Sequence, residues 1–497
     1  MKKWIALIFV LALTAGLAAP SAYAASPAAW KSSIVLANPN GAGNIGISVT
    51  LKFSGDGAPA DVEQTINPYG SLEFNYGVTE NYKGSAEISA NQPVAAVYRQ
   101  FPGAADQNYA PILYTAFSAN QASDTYYIPT FVRRSDVSTL IGIQNIDNST
   151  ADLKLDFYKT GDTNNTPAYT LNLSVDPYSS KQVGGAGSTD LPNFPPNFDG
   201  SLVISLQNPS CTDCGKRIVV AAQEIPNSGR RAYAFEGRPG GQLEDNLYAY
   251  MPSAMCKVGR TQQTSYFAVQ NVGVSNTYII VDYYDNNGKK IATQKSSLVK
   301  PGFKVSINTC SARGMGGKSG SAVIYADNDG KTRLNATTKK YEYAAEGYIV
   351  AMGKVVSNDG LATAFTAPGS GSSQLSLPYI PWGASTYDYR AYIAVFNPSK
   401  TDNATVEITY YTQEGCGATE TPIPGCTSKS HRFLVKPQGK GNSTPLLGGA
   451  LTGGSFIGSA VVSSDKPVVV LVRVQKATKV KGYTTLGEDY TGVELIP

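Results

Sequence analysis

The chain has 497 residues, a formal net charge of +4, one histidine and six cysteines, and only 16% of it is charged, against about 25% in typical soluble domains. So small a charge argues against a nucleic-acid binder, whose basic residues usually gather on one face. Gly 49, Pro 29 and Tyr 31 fill the difference, and with abundant Val, Ile and Thr they favour an all-β chain of short strands joined by Gly, Pro, Asn and Asp turns.

Residues 1–24 read as a cleaved secretory signal. Lys2 and Lys3 form its basic start, Trp4 to Leu17 its apolar centre, and Ala22-Tyr23-Ala24 a small-residue cleavage site. The apolar run is shorter than the roughly 18 to 20 residues of a membrane helix, and no Cys follows it for a lipid anchor. Cleavage takes the formal charge from +4 to +2. No later stretch has the length and apolarity of a membrane helix. The C-terminus has neither a hydrophobic tail nor an aromatic strand end, so the expectation is a soluble exported protein, secreted or held at the cell surface.

Beyond the signal an Asn-ended strand pattern recurs. Ile34-Val35-Leu36-Ala37-Asn38 returns as Ile141 to Asn145, Phe267 to Asn271 and Ile393 to Asn397, at Asn-to-Asn spacings of 107, 126 and 126 residues. A period of that size means one unit used four times, and it shifts the functional expectation toward a built surface. After each Asn comes an alternating strand, three of them ending in an aromatic pair: Phe157-Tyr158, Tyr283-Tyr284 and Tyr410-Tyr411. Each unit then has a turn Pro (Pro68, Pro177, Pro301, Pro437) and a Gly-Ser step (Gly84-Ser85, Gly200-Ser201, Gly320-Ser321, Gly458-Ser459). Last comes a hydrophobic-Pro step: Ile128-Pro129, Met251-Pro252, Ile380-Pro381 and Ile496-Pro497.

About seven short strands per unit, alternating and turn-separated, fit two-sheet antiparallel sandwiches of immunoglobulin-like type; a small closed barrel is the alternative. If the hydrophobic-Pro step closes each unit, the chain divides into 25–129, 130–252, 253–381 and 382–497. If it opens the next unit instead, the first unit lacks a strand and Val493 to Pro497 could complete another molecule by strand addition. The first phase is preferred. On the Asn-ended strands, the Tyr-Tyr ends and Asp465-Lys466-Pro467-Val468-Val469-Val470, the chain resembles bacterial extracellular and cell-surface proteins built of tandem immunoglobulin-like β-sandwich repeats. The resemblance is at fold level and implies no catalytic residue.

Six cysteines in an exported chain, two per unit in the last three units, suggest disulfides; pairing within units is expected, Cys211 with Cys214, Cys256 with Cys310 and Cys416 with Cys426, although sequence alone does not fix the connectivity. Cys211 and Cys214 sit in a hairpin without a helix N-terminus or further ligands, so a staple is favoured over a redox or zinc pair. The lone His431 lies on a strand and is read as solvent-facing, and nothing flags a nucleophile beside it. Asp285, Asp327 and Asp329 resemble fragments of calcium loops but lack the distal Glu, so turns are favoured and no cofactor is expected. Tyr126, Tyr127, Tyr248, Tyr250, Tyr387 and Tyr389 are candidate ligand contacts through flat faces and hydroxyls, with structural packing the plainer use.

The reading that follows is a non-catalytic exported structural or adhesive surface protein. It would be a rod of four sandwiches whose partners are a cell-surface, matrix or glycan component, or further copies of itself. A carbohydrate-binding protein using exposed tyrosines, a strand-addition filament subunit and an unrecognised hydrolase are the alternatives.

Overall fold

The computed structural model describes residues 6–10, 30–41, 46–75, 83–102, 111–207, 217–226, 231–240, 246–334, 341–383, 389–415, 428–477 and 485–495. Among them there is no α-helix, and every pair of named strands is antiparallel. The all-β class follows from the β-branched and aromatic content of these segments, which suits a pleated, half-buried surface.

One strand order recurs at each of the four sequence copies. In the second copy the hairpin Ala151–Lys159 and Tyr169–Val175 pairs through its first strand with the Gly-Ser strand Phe198–Leu206. The other edge of the Gly-Ser strand holds a lead strand, Thr125–Arg133. A second sheet runs from Ser180–Gly184 through the Asn strand Val137–Asn145 to Ile218–Pro226 and Tyr233–Glu236. The lead strands of the third and fourth copies are Tyr248–Met255 and Ser372–Leu377, and in the first copy Ala6–Val10 takes that place beside Lys83–Ala90.

This pairing sets the phase of the repeat. Ile128 lies opposite Leu202 and Met251 opposite Ala322, so the divisions at 129/130 and 252/253 fall inside strands, and the step opens the following copy. Leu377 faces Ala460, which makes Leu377-Pro378, not Ile380-Pro381, the third equivalent. A ladder irregularity follows Ile128 and Met251, where a proline forfeits no sheet hydrogen bond. Val493–Glu494 pairs with the lead strand of its own copy, as Phe117–Ser118 and Arg238–Pro239 do with theirs. Ile496-Pro497 lies outside the described residues.

The landmarks have physical causes. Each landmark Asn is fully buried and ties the two sheets of its copy together. Asn145 Nδ2 donates to the Val175 carbonyl at 3.1 Å, Asn271 to Val299 at 2.9 Å, Asn397 to Val435 at 3.1 Å and Asn38 to Ile66 at 3.2 Å. Its Oδ1 accepts from the backbone two residues on, at 2.9 to 3.0 Å. The Gly of the Gly-Ser step lies under the neighbouring strand: a Cβ on Gly200, Gly320 or Gly458 would sit 2.0, 1.8 or 2.0 Å from the carbonyl oxygen of Tyr158, Tyr284 or Tyr411. Each landmark Pro precedes a residue of positive φ, namely Tyr69, Tyr178, Gly302 and Gln438, as a tight turn with Pro at its second position requires.

Burial differs between the two sheets. The first is half-wet, and Ala404–Thr412 alternates buried and partly buried positions. The second is covered on both faces, and Ile218–Pro226 is buried at all but its last residue, which explains its continuous apolar run. The outer cover is the other copies. The edge strands Ile112–Thr115, Tyr233–Glu236, Ala362–Thr366 and Thr485–Thr491 touch in the cyclic order first, second, third, fourth and back to the first. Val35, Val97 and Leu113 of the first copy share a core with Ile393, Val472 and Tyr490 of the fourth. The expected rod is therefore corrected to a closed ring around these axial strands: an open rod would leave the apolar outer faces of the terminal copies in water.

Candidate functional site at the seams

Ring closure brings chemistry to the seams between copies, from strands whose apolar runs contain isolated polar residues. Arg99, Gln223, Lys354 and Arg473 stand at one register position, opposite Leu113, Ala234, Ala364 and Asp489 of the axial strands. Across the first and second copies Gln223 Nε2 donates to Gln100 Oε1 at 3.1 Å. Across the second and third, Lys354 pairs with Glu224 and Lys304 with Asp199. Across the fourth and first, Arg99 Nε bonds both oxygens of Glu488 at 2.8 and 3.1 Å. Arg473 is held by Asp489 of its own copy at 2.9 and 2.7 Å.

The closing seam is the most charged. The Arg99 guanidinium lies 4.9 to 5.0 Å from the ring centroids of Phe101, Tyr379 and Tyr389, a cation–π box. Burial opposes its charge, but Glu488, the two tyrosines and Glu73 hold its pKa well above the ordinary arginine range. Burial pushes the Glu488 carboxyl up to about 7 against the pull of Arg99, and burial lowers Lys476 to about 8. At the end of the axial strands Glu236 accepts from the Thr115 backbone N–H at 2.6 Å, and burial raises its pKa. Thr366 Oγ1 donates to the Glu236 carbonyl and Thr115 Oγ1 to the Thr491 carbonyl, so four equivalent strand ends meet there.

Farther from the axis the Gly-Ser serine of the second, third and fourth copies reaches the Pro turn of the next copy. Ser201 Oγ donates to Gly302 O at 2.6 Å, Ser321 to Gln438 O at 3.4 Å and Ser459 to Tyr69 O at 3.2 Å. The second member of each aromatic pair fills the same seam. Tyr411 stacks on Tyr69 at 4.3 Å and Tyr158 packs against Phe303 at 5.1 Å, while Tyr284 packs against the cluster that joins Ile280, Val323 and Tyr325 to Phe396 and Val469. The seam between the first and second copies differs, because Ser54 stands where the others have tyrosine. There Ser54 meets Ser85 at 3.0 Å, and a cavity of about 240 Å³ opens between Lys52, Phe53, Ser54, Asp61 and Glu87 on one side and Gln144, Asn145, Ile146 and Tyr178 on the other.

The structure distributes the sequence candidates as follows. Cys256 and Cys310 form a disulfide; Cys211, Cys214, Cys416 and Cys426 lie outside the described residues, as does Tyr387. Tyr126 is wholly buried and donates to the Gln121 carbonyl at 2.5 Å, and Tyr127 is mostly buried. Tyr248 and Tyr250 stack at 6.0 Å and pack toward Tyr325 and Phe396; Tyr389 caps Arg99. Tyr250 and Tyr389 therefore face neighbouring copies, whereas Tyr126 belongs to the core.

Asp285 Oδ1 accepts from the Asn287 and Lys289 backbones, both at 2.9 Å, closing a turn. Asp327 accepts from the backbones of Asp329, Gly330 and Ala344, and Asp329 pairs with Arg333 at 2.8 Å. Among the described residues no three His, Cys, Asp or Glu gather as a metal site. His431 is half-buried, not solvent-facing, with Nδ1 2.8 Å from Ser443 Oγ. The seam residues Arg99, Glu488, Glu236 and the Ser54 exception escaped sequence reading. The available signals were polar residues inside apolar runs and the one missing aromatic pair.

No family model and no curated protein matches the chain. Among solved structures, the crystal structure of Thermotoga maritima 1070 aligns with 25% of this chain and 96% of that chain, at 16% identity and a TM-score of 0.19.

Proposed function

We propose that this chain is a non-catalytic structural or adhesive protein of the cell surface or matrix, exported by residues 1–24 and built of four tandem immunoglobulin-like sandwich domains. The observation that carries the reading is the use made of the buried polar groups. Arg99, Glu488, Lys354, Glu224, Lys304 and Asp199 are matched across seams, which is how a scaffold specifies its assembly; a reacting cleft would leave such groups convergent and open. Its partners are surface, matrix or glycan components. Immunogold labelling of intact cells, with fractionation, tests the reading: label on the surface or matrix is expected, and label confined to the cytoplasm would overturn it.

One observation favours a second reading, a strand-addition filament subunit. Ala6–Val10 sits between Lys83–Ala90 and Phe117–Ser118, where the other copies hold their lead strands. Removal of the signal would vacate that place for a strand from another molecule. Sizing residues 25–497 beside the uncleaved chain decides it: assembly of the shorter chain alone supports the reading, and equal monomers retire it.

A further inference from the structure

We infer that the cavity between the first and second copies is a binding site for a pyranose ring of a surface or matrix glycan. The argument begins with what fills the same place elsewhere. In two seams the second residue of an aromatic pair occupies the space beside the next copy's Pro turn, Tyr158 against Phe303 and Tyr411 on Tyr69, and in a third Tyr284 packs against the cluster shared with Phe396 and Val469 of the next copy. In the fourth seam that residue is Ser54, and a space of about 240 Å³ remains. The partner face is kept even though its filler is gone. Tyr178 occupies the turn position at which Tyr69 receives the stacked ring of Tyr411, and it is 56% exposed. A flat, exposed phenol at the rim of a cavity is a platform for a ring-shaped ligand.

The lining chooses between kinds of ring. Asp61 and Glu87 contribute carboxylates, which only accept hydrogen bonds when ionised. Gln144, 3% exposed, adds part of its amide side chain to the wall. Lys52 is the single charged donor. An acceptor-rich wall of this kind calls for a ligand with several hydroxyl donors around an apolar face. A pyranose offers three or four hydroxyls on one flat ring, whereas a tyrosyl side chain from a protein partner offers one. The cavity also takes up roughly eight waters' worth of liquid volume, enough for one sugar ring at the end of a longer chain.

The inference deepens the adhesive reading but stands apart from it in the test. Saturation-transfer NMR on residues 25–497 with methyl glucoside, methyl galactoside, methyl mannoside and N-acetylglucosamine is expected to show transfer to at least one sugar. Tyr178→Ala and Glu87→Gln should each weaken that signal at least tenfold. Ser54→Tyr is the decisive variant, because it restores the filler of the other three seams. It should abolish transfer while leaving the melting temperature unchanged or higher, which separates a blocked site from a misfolded one. Absence of transfer to every sugar overturns the inference, and so does transfer that survives Ser54→Tyr. Transfer to N-acetyltyrosinamide alone would likewise overturn it, assigning the cavity to a protein side chain. Surface labelling of cells is unaffected by any of these outcomes, so the two readings fail independently.

Discussion

At the residue scale the period is marked by side chains that cannot be exchanged. Asn145 bridges the end of one sheet to the start of the other through two or more bonds made by a single buried amide. Asn145→Ala leaves the Val175 carbonyl and the Asp147 N–H without it, and should cost about 1 to 3 kcal/mol, read as a shift of the urea midpoint at constant slope. Gly320→Ala is expected to be worse. Its methyl would be driven to 1.8 Å from the Tyr284 carbonyl oxygen, which backbone cannot yield without breaking the ladder, so the loss should exceed about 2 kcal/mol. A normal midpoint for Gly320→Ala would mean that the two strands do not approach as described.

At the scale of elements, the hairpin and Asn strands were legible because their patterns are local. Alternation in Ile279 to Tyr284 and the Pro turn at Pro301 depend on neighbours a few residues away. The lead strands were misplaced by one position in the repeat, because a hydrophobic-Pro step looks the same whether it closes one unit or opens the next. The strand pairings, Ile128 opposite Leu202, Met251 opposite Ala322 and Leu377 opposite Ala460, distinguish the two. The Ser54 exception was likewise visible as a missing aromatic pair, but its meaning needed Tyr178 brought opposite it from the next copy. The disulfide joins the end of the third lead strand to the short turn after Lys304–Asn308, its cysteines 54 positions apart in sequence. Replacing both by serine should cost about 2 to 4 kcal/mol, measured by denaturation with the wild-type chain under oxidising conditions as reference.

At the scale of the molecule, closure was not legible, since Arg99 and Glu488 are 389 residues apart and nothing local links them. Solution scattering tests it directly. A compact particle of this size should have a radius of gyration of about 23 Å, and a rod of the same four copies roughly twice that. The seam also predicts a pH response. Glu488, raised to about 7 by burial, binds its proton more tightly in the folded chain. Its contribution is therefore fully present below the unfolded carboxyl pKa of about 4.3 and lost as pH rises through about 7. Glu236, raised by burial, acts in the same direction. Stability followed by urea midpoint should decline between pH 4.5 and 8, and Glu488→Gln should flatten the decline; an identical slope in that variant would remove Glu488 as its source.

Closure of the first copy on the fourth also orders events in time. A chain synthesised from its N-terminus presents Arg99 long before Glu488 has emerged, so the last seam forms only after synthesis is complete. Until then the outer apolar face of the first copy, with Val35, Val97 and Leu113, is open to any complementary fourth copy nearby. Long-range contacts of this kind form slowly, and exposed apolar faces invite exchange between chains. Refolding at rising concentration should therefore divert an increasing share of molecules into interlocked pairs, each closing its ring with the other's final copy.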